Sequence, residues 1–362
     1  MAPPLTVLPP STAAPEVRLH ERGALDAHLP RLAEYFVRGG PIAELSRHPA
    51  WLRVLRRGLR HVPYCLEASV GGRTCGFLAL AYVESLLFGR YLVSLPYLNY
   101  GGVQSDDEAV SRLLIDHAVT LADRLGVRRL ELRHEQPVSH PRLNHARTDK
   151  VQMRLDLPGN TAQLEKELDG KVRHQVRRGR KNDLAVVWGG TERLDEFYAV
   201  FSENMRDLGT PVYGRGLFAS VLEEFPDRAE LCVVRQGSKP LAAALLLHGW
   251  GVTEVPSASS LRASNPSCAN MLMYFHLLAR AVERGQDVFD FGRSTPEGGT
   301  FRFKKQWGAQ PFGAEWQSYL RQGRLEETRP DNPRYRWRIR TWQRLPLWLA
   351  GRVGPWVVRG IP

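Results

Sequence analysis

The amino-acid sequence predicts an α/β protein of two tandem domains, each a mixed, mostly antiparallel sheet flanked by helices. Three observations lead there. The order strand, strand, strand, helix, strand is written twice, about 160 residues apart. Each copy opens with a hairpin around a glycine-containing turn, GGR in the first and QGSK in the second. Each closes with an amphipathic helix that stops at a glycine and feeds a short apolar strand.

Taken in chain order, residues 1–17, MAPPLTVLPPSTAAPEV, are proline-rich with neither a cationic segment nor a long apolar run, and read as a disordered leader. A mainly helical stretch runs from about Gly23 to Arg60. In the first copy YCLEASV and TCGFLALAYV pair across a two-residue turn on Gly71 and Gly72, which sets Cys75 opposite Ala68. YLVSLPYLNYGG follows, then a helix from about Glu108 to Leu125 with Val110, Leu114 and Val119 on its apolar face, then the strand VRRLELR. The domain boundary is expected near LDLPGN, giving domains of residues 18–157 and 158–325. The second copy starts with a mainly helical stretch from about Ala162 to Phe225. AELCVVR, PLAAALLLHGW and GVTEVPSASS supply its strands; Met271, Tyr274, Phe275, Leu278 and Val282 mark a helix from about Ala269 to Arg284; DVFDFGR is its last strand. Residues 326–362 form a basic, tryptophan-rich arm.

Composition narrows the function classes. The chain of 362 residues carries 50 Lys and Arg against 38 Asp and Glu, a net charge of +12. Such a surplus favours anionic partners: nucleic acids, nucleotides or an acidic membrane surface. No window approaches the roughly 18 consecutive apolar residues of a membrane-spanning helix, and a cytoplasmic location, at or near the inner face of the membrane, is expected. The four cysteines form no C-x-x-C and no Cys/His cluster, so neither a disulfide framework nor a metal site is expected.

The residues that carry chemistry concentrate in FDFGRSTPEGGTFRFKKQWGAQP, residues 289–311. Its adjacent cations Lys304 and Lys305 follow a glycine-rich loop and read either as a solvated strand with alternating faces or as an anion or oxyanion site. Arg293 offers a planar fork to a carboxylate or phosphate, or a structural ion pair to Asp290. Glu297, in the loop, is a candidate proton acceptor. In KVRHQVRRGRKN, Arg173, Arg177 and Lys181 recur at i, i+4 and i+8, a cationic stripe suited to a phosphate backbone or a solvated helix face. Asn99 and Tyr100, before Gly101 and Gly102, offer hydrogen bonds to a ligand at a strand end or form a plain turn.

The tandem order, the segment KVRHQVRRGRKNDL and the ending FDFGRS through FRFKKQWG resemble the FemABX peptidyltransferases, built from two GNAT-like acyltransferase domains. SLPYLNYGG, RDLGTPVYGRGLF and the 289–311 segment resemble more closely the FemAB-related proteins associated with exosortase (PEP-CTERM) sorting and exopolysaccharide loci. The resemblance spans roughly residues 25–325. It implies transfer of an aminoacyl group from aminoacyl-tRNA to an amine of a cell-envelope substrate, on an anionic nucleotide- or lipid-linked acceptor. The family's lysine after an aromatic residue maps onto Lys304 after Phe303, where a fixed cation would stabilise the oxyanion, with Phe303 and Trp307 packing its stem. Lys305 would meet a phosphate, and Tyr213 and Arg215 would line the acceptor cleft.

No bound cofactor is implied. The R/Q-x-x-G-x-G/A loop of acetyl-CoA-dependent GNAT enzymes is replaced by SNPSCAN in the second copy and VQSDDEA in the first, which disfavours acyl-CoA as donor. An acyl-CoA-dependent N-acyltransferase and a non-catalytic basic binding protein stay open as alternatives. The arm from residue 328 onward holds eight arginines and one aspartate, interleaved with Trp337, Trp342, Trp348 and Trp356. That mixture describes peripheral contact with anionic lipid, or an arm that packs its aromatics back on the first domain.

Overall fold

The computed structural model describes residues 14–39, 43–85, 88–321 and 333–361. The first part of the chain forms β1 (Glu16–Glu21), α1 (Arg22–Arg38), α2 (Trp51–Leu59), β2 (Val62–Val70), β3 (Arg73–Ser85), β4 (Gly89–Val93), β5 (Gln104–Ser105), α3 (Glu108–Arg124), β6 (Arg129–His134) and β7 (His145–Arg147). Then come β8 (Val151–Asp156), α4 (Thr161–Glu167), α5 (Gly170–Arg180), β9 (Ala185–Gly189), α6 (Leu194–Leu208) and α7 (Arg215–Glu224). The second copy continues with β10 (Ala229–Gln236), β11 (Lys239–His248), β12 (Val252–Ser260), α8 (Ala269–Glu283), β13 (Val288–Ser294), α9 (Gly299–Lys305), β14 (Gln310–Gly313) and β15 (Glu315–Leu320). The arm adds α10 (Pro333–Gln343) and α11 (Leu347–Val358).

Two sheets result, ordered β1-β2-β3-β4-β6-β15-β7, with β5 on β3, and β14-β8-β13-β12-β11-β10-β9. Each is antiparallel except at one equivalent place, β4 with β6 and β12 with β13. The doubled pattern read from the sequence is therefore a doubled GNAT-like fold.

Strand alternation divides the apolar residues among three cores. Leu66, Leu78 and Leu80 face α3 in an outer core, and Cys232, Val234 and Leu246 face α8 in the other. Cys65, Phe77 and Ala79 meet Leu231, Val233 and Leu245 through α1, α2, α6 and α7 in a single shared core. The strands are thus apolar on both faces, as buried sheets require, and the two copies are one folding body rather than two beads.

Several expectations change. Residues 16 and 17, assigned to the leader, already pair with Ser69 and Ala68 in β1; the remaining leader before residue 14 lies outside the described residues. The 157/158 division does not separate the sheets. β8 precedes it yet lies between β14 and β13 in the second sheet, and β15 follows it yet joins β6 and β7 in the first. A strand's partner is set by long-range pairing, which element order along the chain does not encode. β9 sits inside a stretch read as helical. A bulge after Ala68 slips the first hairpin by one residue, so Ala68 faces Gly76 instead of Cys75. FRFKK is helical, not extended: Phe301, Lys304 and Trp307 recur every third residue and turn inward together, a spacing that the F-R-F alternation conceals.

The sheets are joined by a buried ion cluster. Arg154 on β8 reaches Glu44 at 2.7 Å, Glu135 at 2.7 Å and Asp290 of β13 at 3.1 Å, and Arg47 bonds the same Glu44 and Glu135. Burial opposes the Arg154 charge, and Tyr100, Glu44, Asp290 and Glu135 overcome it, raising its pKa. Arg154→Ala would leave Asp290 without a cationic partner and Glu44 and Glu135 with Arg47 alone, in a site largely withdrawn from water. Chemical denaturation of that variant is expected to show a loss of about 3–5 kcal/mol.

Candidate active site

The site forms where the second sheet splits. β12 and β13 pair in parallel for only three residues, ending at Glu254 opposite Asp290, while β12 continues to Ser260 along β11. Past that point, among the described residues, no backbone hydrogen bond joins residues 255–260 to β13, and Pro256 brings no N–H at all. β13 is bulged on its other side, between Asp290 and Arg293. Gly292 sits in the bulge with φ +74°, its N–H held by the Asp290 carboxylate at 2.6 Å. The positive φ favours glycine there, and a Cβ would also stand 2.8 Å from Asn99 Nδ2 and push that side chain aside.

The bulge turns two carbonyls toward α9. Lys304 Nζ donates to Gly292 O at 3.0 Å and to Arg293 O at 2.9 Å, leaving one of its three N–H groups for a ligand. The side chain is 8% exposed. Burial lowers its pKa to about 8, against the opposing pull of Asp290. Phe303 and Trp307 pack on Tyr274 at 4.8 and 5.9 Å between ring centroids, anchoring α9 in the core behind the lysine. Lys305 is exposed, with Nζ 5.9 Å from the Phe301 ring centroid. On a helix the two lysines lie about 100° apart rather than on opposite faces of a strand.

The first domain supplies the facing wall through the loop of residues 94–102. Tyr100, 1% exposed, donates to Asp290 and accepts from Arg154 at 2.8 Å. Asn99 lies against Gly292, and its carbonyl accepts from Trp316 Nε1 at 3.2 Å. Of the two readings of Arg293, the ion pair to Asp290 is not formed. The Arg293 guanidinium instead stacks 3.4 Å from the Trp316 ring centroid, beside Arg133 at 4.0 Å and Arg147 at 6.0 Å. Burial, then the like charges of Arg133 and Arg147, push Arg293 down to about 9. An arginine remains charged at neutral pH, so this is a cation with no carboxylate partner among the described residues. Next to it, opposite Arg293 in the β8–β13 ladder, Gln152 is fully buried with neither amide atom bonded to protein.

Other candidates fall elsewhere. Tyr213 packs edge-on to Tyr97 with centroids 5.5 Å apart; burial raises its pKa and Arg133 opposes the rise, which puts it at the margin of the arginine group. Arg215 is exposed and pairs with Asp195 at 2.8 Å, outside the site. Glu297 is exposed at φ +59°, with no partner holding it toward Lys304. Arg173, Arg177 and Lys181 lie on or just past α5, whose Val172 and Val176 face the outer core; no bond links the stripe to the β13 site among the described residues. The four cysteines are free. At the start of α3, Asp107 caps Val110 N, so a carboxylate of the chain itself holds that helix N-terminus.

Trp316, Arg133, Arg147 and Gln152 were not legible as site residues. They arrive from β15, β6, β7 and β8, and only the crossing of β8 and β15 between sheets brings them together. A second unforeseen group is Glu254, buried at the split and bonded by Ser46 N at 2.9 Å and Ser46 Oγ at 2.6 Å. Burial, with the charges of Glu44 and Asp290, raises its pKa to about 8.

Residues 170–305 match the acetyltransferase (GNAT) domain family. Among solved structures, the crystal structure of FemX is 15% identical, over 84% of this chain and 97% of its own, with a TM-score of 0.59. The C-terminal domain of a putative lysylphosphatidylglycerol synthetase from Agrobacterium fabrum is 13% identical, over 82% and 92%, with a TM-score of 0.54. A tandem GNAT protein from the clavulanic acid biosynthesis pathway is 14% identical, over 86% and 100%, with a TM-score of 0.51. No curated protein matches in sequence. At these identities the structural likeness establishes the fold, a FemX-like pair of GNAT domains. The domain match and that fold together define the class, a GNAT-fold acyltransferase.

The folded state holds the Glu254 proton more tightly than an unfolded chain, whose carboxyl titrates near 4.5. Stability is therefore expected to be greatest at low pH with respect to this group, and to fall as pH rises from about 4.5 through about 8. Unfolding free energies measured across that window should decline in the native protein and flatten in Glu254→Gln.

Proposed function

We propose that the protein transfers an aminoacyl group from aminoacyl-tRNA to a primary amine on an anionic, nucleotide- or lipid-linked substrate of the cell envelope or an exopolysaccharide. The observation that carries this reading is Lys304, a buried ammonium fixed by two carbonyls of a bulged strand with one N–H left over. In the reaction the amine nitrogen attacks the ester carbonyl, the new C–N bond forms and the ester C–O bond breaks. The amine sheds a proton, and the departing ribose hydroxyl takes one up. Charge collects on the carbonyl oxygen midway, where a preorganised cation in a poorly hydrated site acts most strongly. Arg293, with Arg133 and Arg147 behind it, fits the role of anchor for a carboxylate or phosphate of the substrate. The cationic stripe of α5 suits a phosphate backbone, and its separation from the β13 site suits a donor as large as tRNA.

Acyl-CoA remains the competing donor. One feature favours it: α8 begins without a side-chain cap, so no side chain of the protein occupies its first amides.

The deciding experiment supplies labelled aminoacyl-tRNA and labelled acetyl-CoA separately, with a panel of amine acceptors. Transfer from the charged tRNA alone supports the reading; transfer from acetyl-CoA alone replaces it, and no transfer from either argues for a binding protein. Lys304→Met should lower kcat by about 10²–10³-fold while cooperative unfolding is kept. If the ammonium form is the active one, the rate should fall as pH rises through about 8. Lys304→Arg, whose side chain stays charged, should lack that alkaline limb. Arg293→Ala should act mainly on KM of the anionic substrate, measured by steady-state kinetics.

A further inference from the structure

The C-terminal arm turns three of its tryptophans, Trp337, Trp348 and Trp356, toward solvent and keeps Trp342 half-buried. On α11 the small or slender residues Ala350, Gly354 and Val358 are buried, and a Cβ on Gly354 would strike Val212 at 2.8 Å. One face of the helix is thus committed to packing on the α6 side of the second domain. The other carries Trp348, Arg352 and Trp356, at i, i+4 and i+8, with Val353 alongside. Trp348 is 71% and Trp356 53% exposed, and Trp337 on α10 is 63% exposed. Both helices are docked: Ile339 meets Gly209, Gln343 donates to Asp207 O at 3.0 Å, and Tyr97 donates to Arg359 O at 2.5 Å.

Of the two expectations for the arm, packing is met by its small residues and in part by Trp342, and not by Trp337, Trp348 and Trp356. Indoles gathered on the outward face of a packed helix and rimmed by arginines mark a surface that something apolar with a polar margin covers. The charge beside them says what. Residues 333–361 contain seven arginines and no acidic residue, and the described side chains of Arg340, Arg344 and Arg352 are exposed on the arm. At 12 residues α11 is about 18 Å long, and no helix among the described residues is long and apolar enough to cross a membrane.

We propose that α10 and α11 dock the protein on an anionic lipid bilayer, with α11 lying in the interface, Trp348 and Trp356 inserted at headgroup depth and the arginines meeting lipid phosphates. The proposal is independent of the acyl donor and does not require the protein to be catalytic.

The test is co-sedimentation of the full-length protein with vesicles of phosphatidylcholine alone and of phosphatidylcholine mixed with phosphatidylglycerol, at low and high salt, with tryptophan emission read in parallel. Binding is expected only to the mixed vesicles, weaker at high salt, with a blue shift of emission. Trp348→Ala/Trp356→Ala changes exposed residues only; it should keep the unfolding profile and lower partitioning at least about tenfold. Arg177→Ala/Lys181→Ala, on the other cationic surface, should bind vesicles as the native protein does. Equal binding by the tryptophan variant, or loss of binding only in the α5 variant, would overturn the proposal. So would absence of vesicle binding together with a concentration-dependent dimer that the tryptophan substitutions dissolve, which would make the ridge a contact between copies.

Discussion

The β13 side of the split between β12 and β13 is held by Arg154, which ties Asp290 to two carboxylates of the first half. Its guanidinium is shared by Glu44 and Glu135 from the first half and Asp290 from the second. Asp290 in turn accepts from Tyr100 and grips the Gly292 amide that defines the bulge. One buried cation thereby connects the placement of the 94–102 loop, the seam between the sheets and the backbone carbonyls on which Lys304 rests. Burying this many charges is costly in isolation, and partial removal would be worse; its use is specificity of arrangement at the place where two similar domains must be set at a fixed relation.

The two copies use the same break in their sheets differently. In the first, the 94–102 loop stitches itself to β6, with Ser94 N bonded to Glu131 O and Gly101 N to Arg133 O. Its gap is closed by its own chain, and the helix after it is capped by Asp107. In the second copy the gap stays open, α8 starts uncapped, and the cations Lys304 and Arg293 border it. Of two sheets with similar topology, one supports and the other presents the candidate site. The closed copy contributes Asn99, Tyr100 and the Arg133–Trp316 wall, so neither half is sufficient alone.

The net positive charge also divides into distinct parts. Arg293 crowds the Trp316 ring with Arg133, which is paired with Glu131, and the partly exposed Arg147, which is paired with Asp149; Arg173, Arg177 and Lys181 belong to the outer surface at α5, and the arm collects arginines beside exposed indoles. Many remaining cations are spoken for, as in Arg280 and Arg284 on Glu230 or Arg53 on Glu224. What looks in composition like a uniform basicity is several separate clusters in different surroundings.

By itself the sequence determined the local units. Glycines at Gly71, Gly72 and Gly285 set turns and caps, apolar periodicity set α3 and α8, and the doubled order gave the doubled fold, because these features depend on neighbours a few residues away. It also singled out Lys304 and Arg293. It left β1, β5, β7, β8, β9, β14 and β15 unread, and it read a strand where α9 forms, since a seven-residue segment with two alternating phenylalanines satisfies either period. Tertiary structure alone decided that β8 and β15 change sheets, that Arg293 stacks on Trp316 instead of pairing with Asp290, and that Arg215 belongs to Asp195. The β8 and β15 pairings join segments more than a hundred residues apart, and the two arginine contacts about twenty; burial and charge settle them only after the backbone has closed.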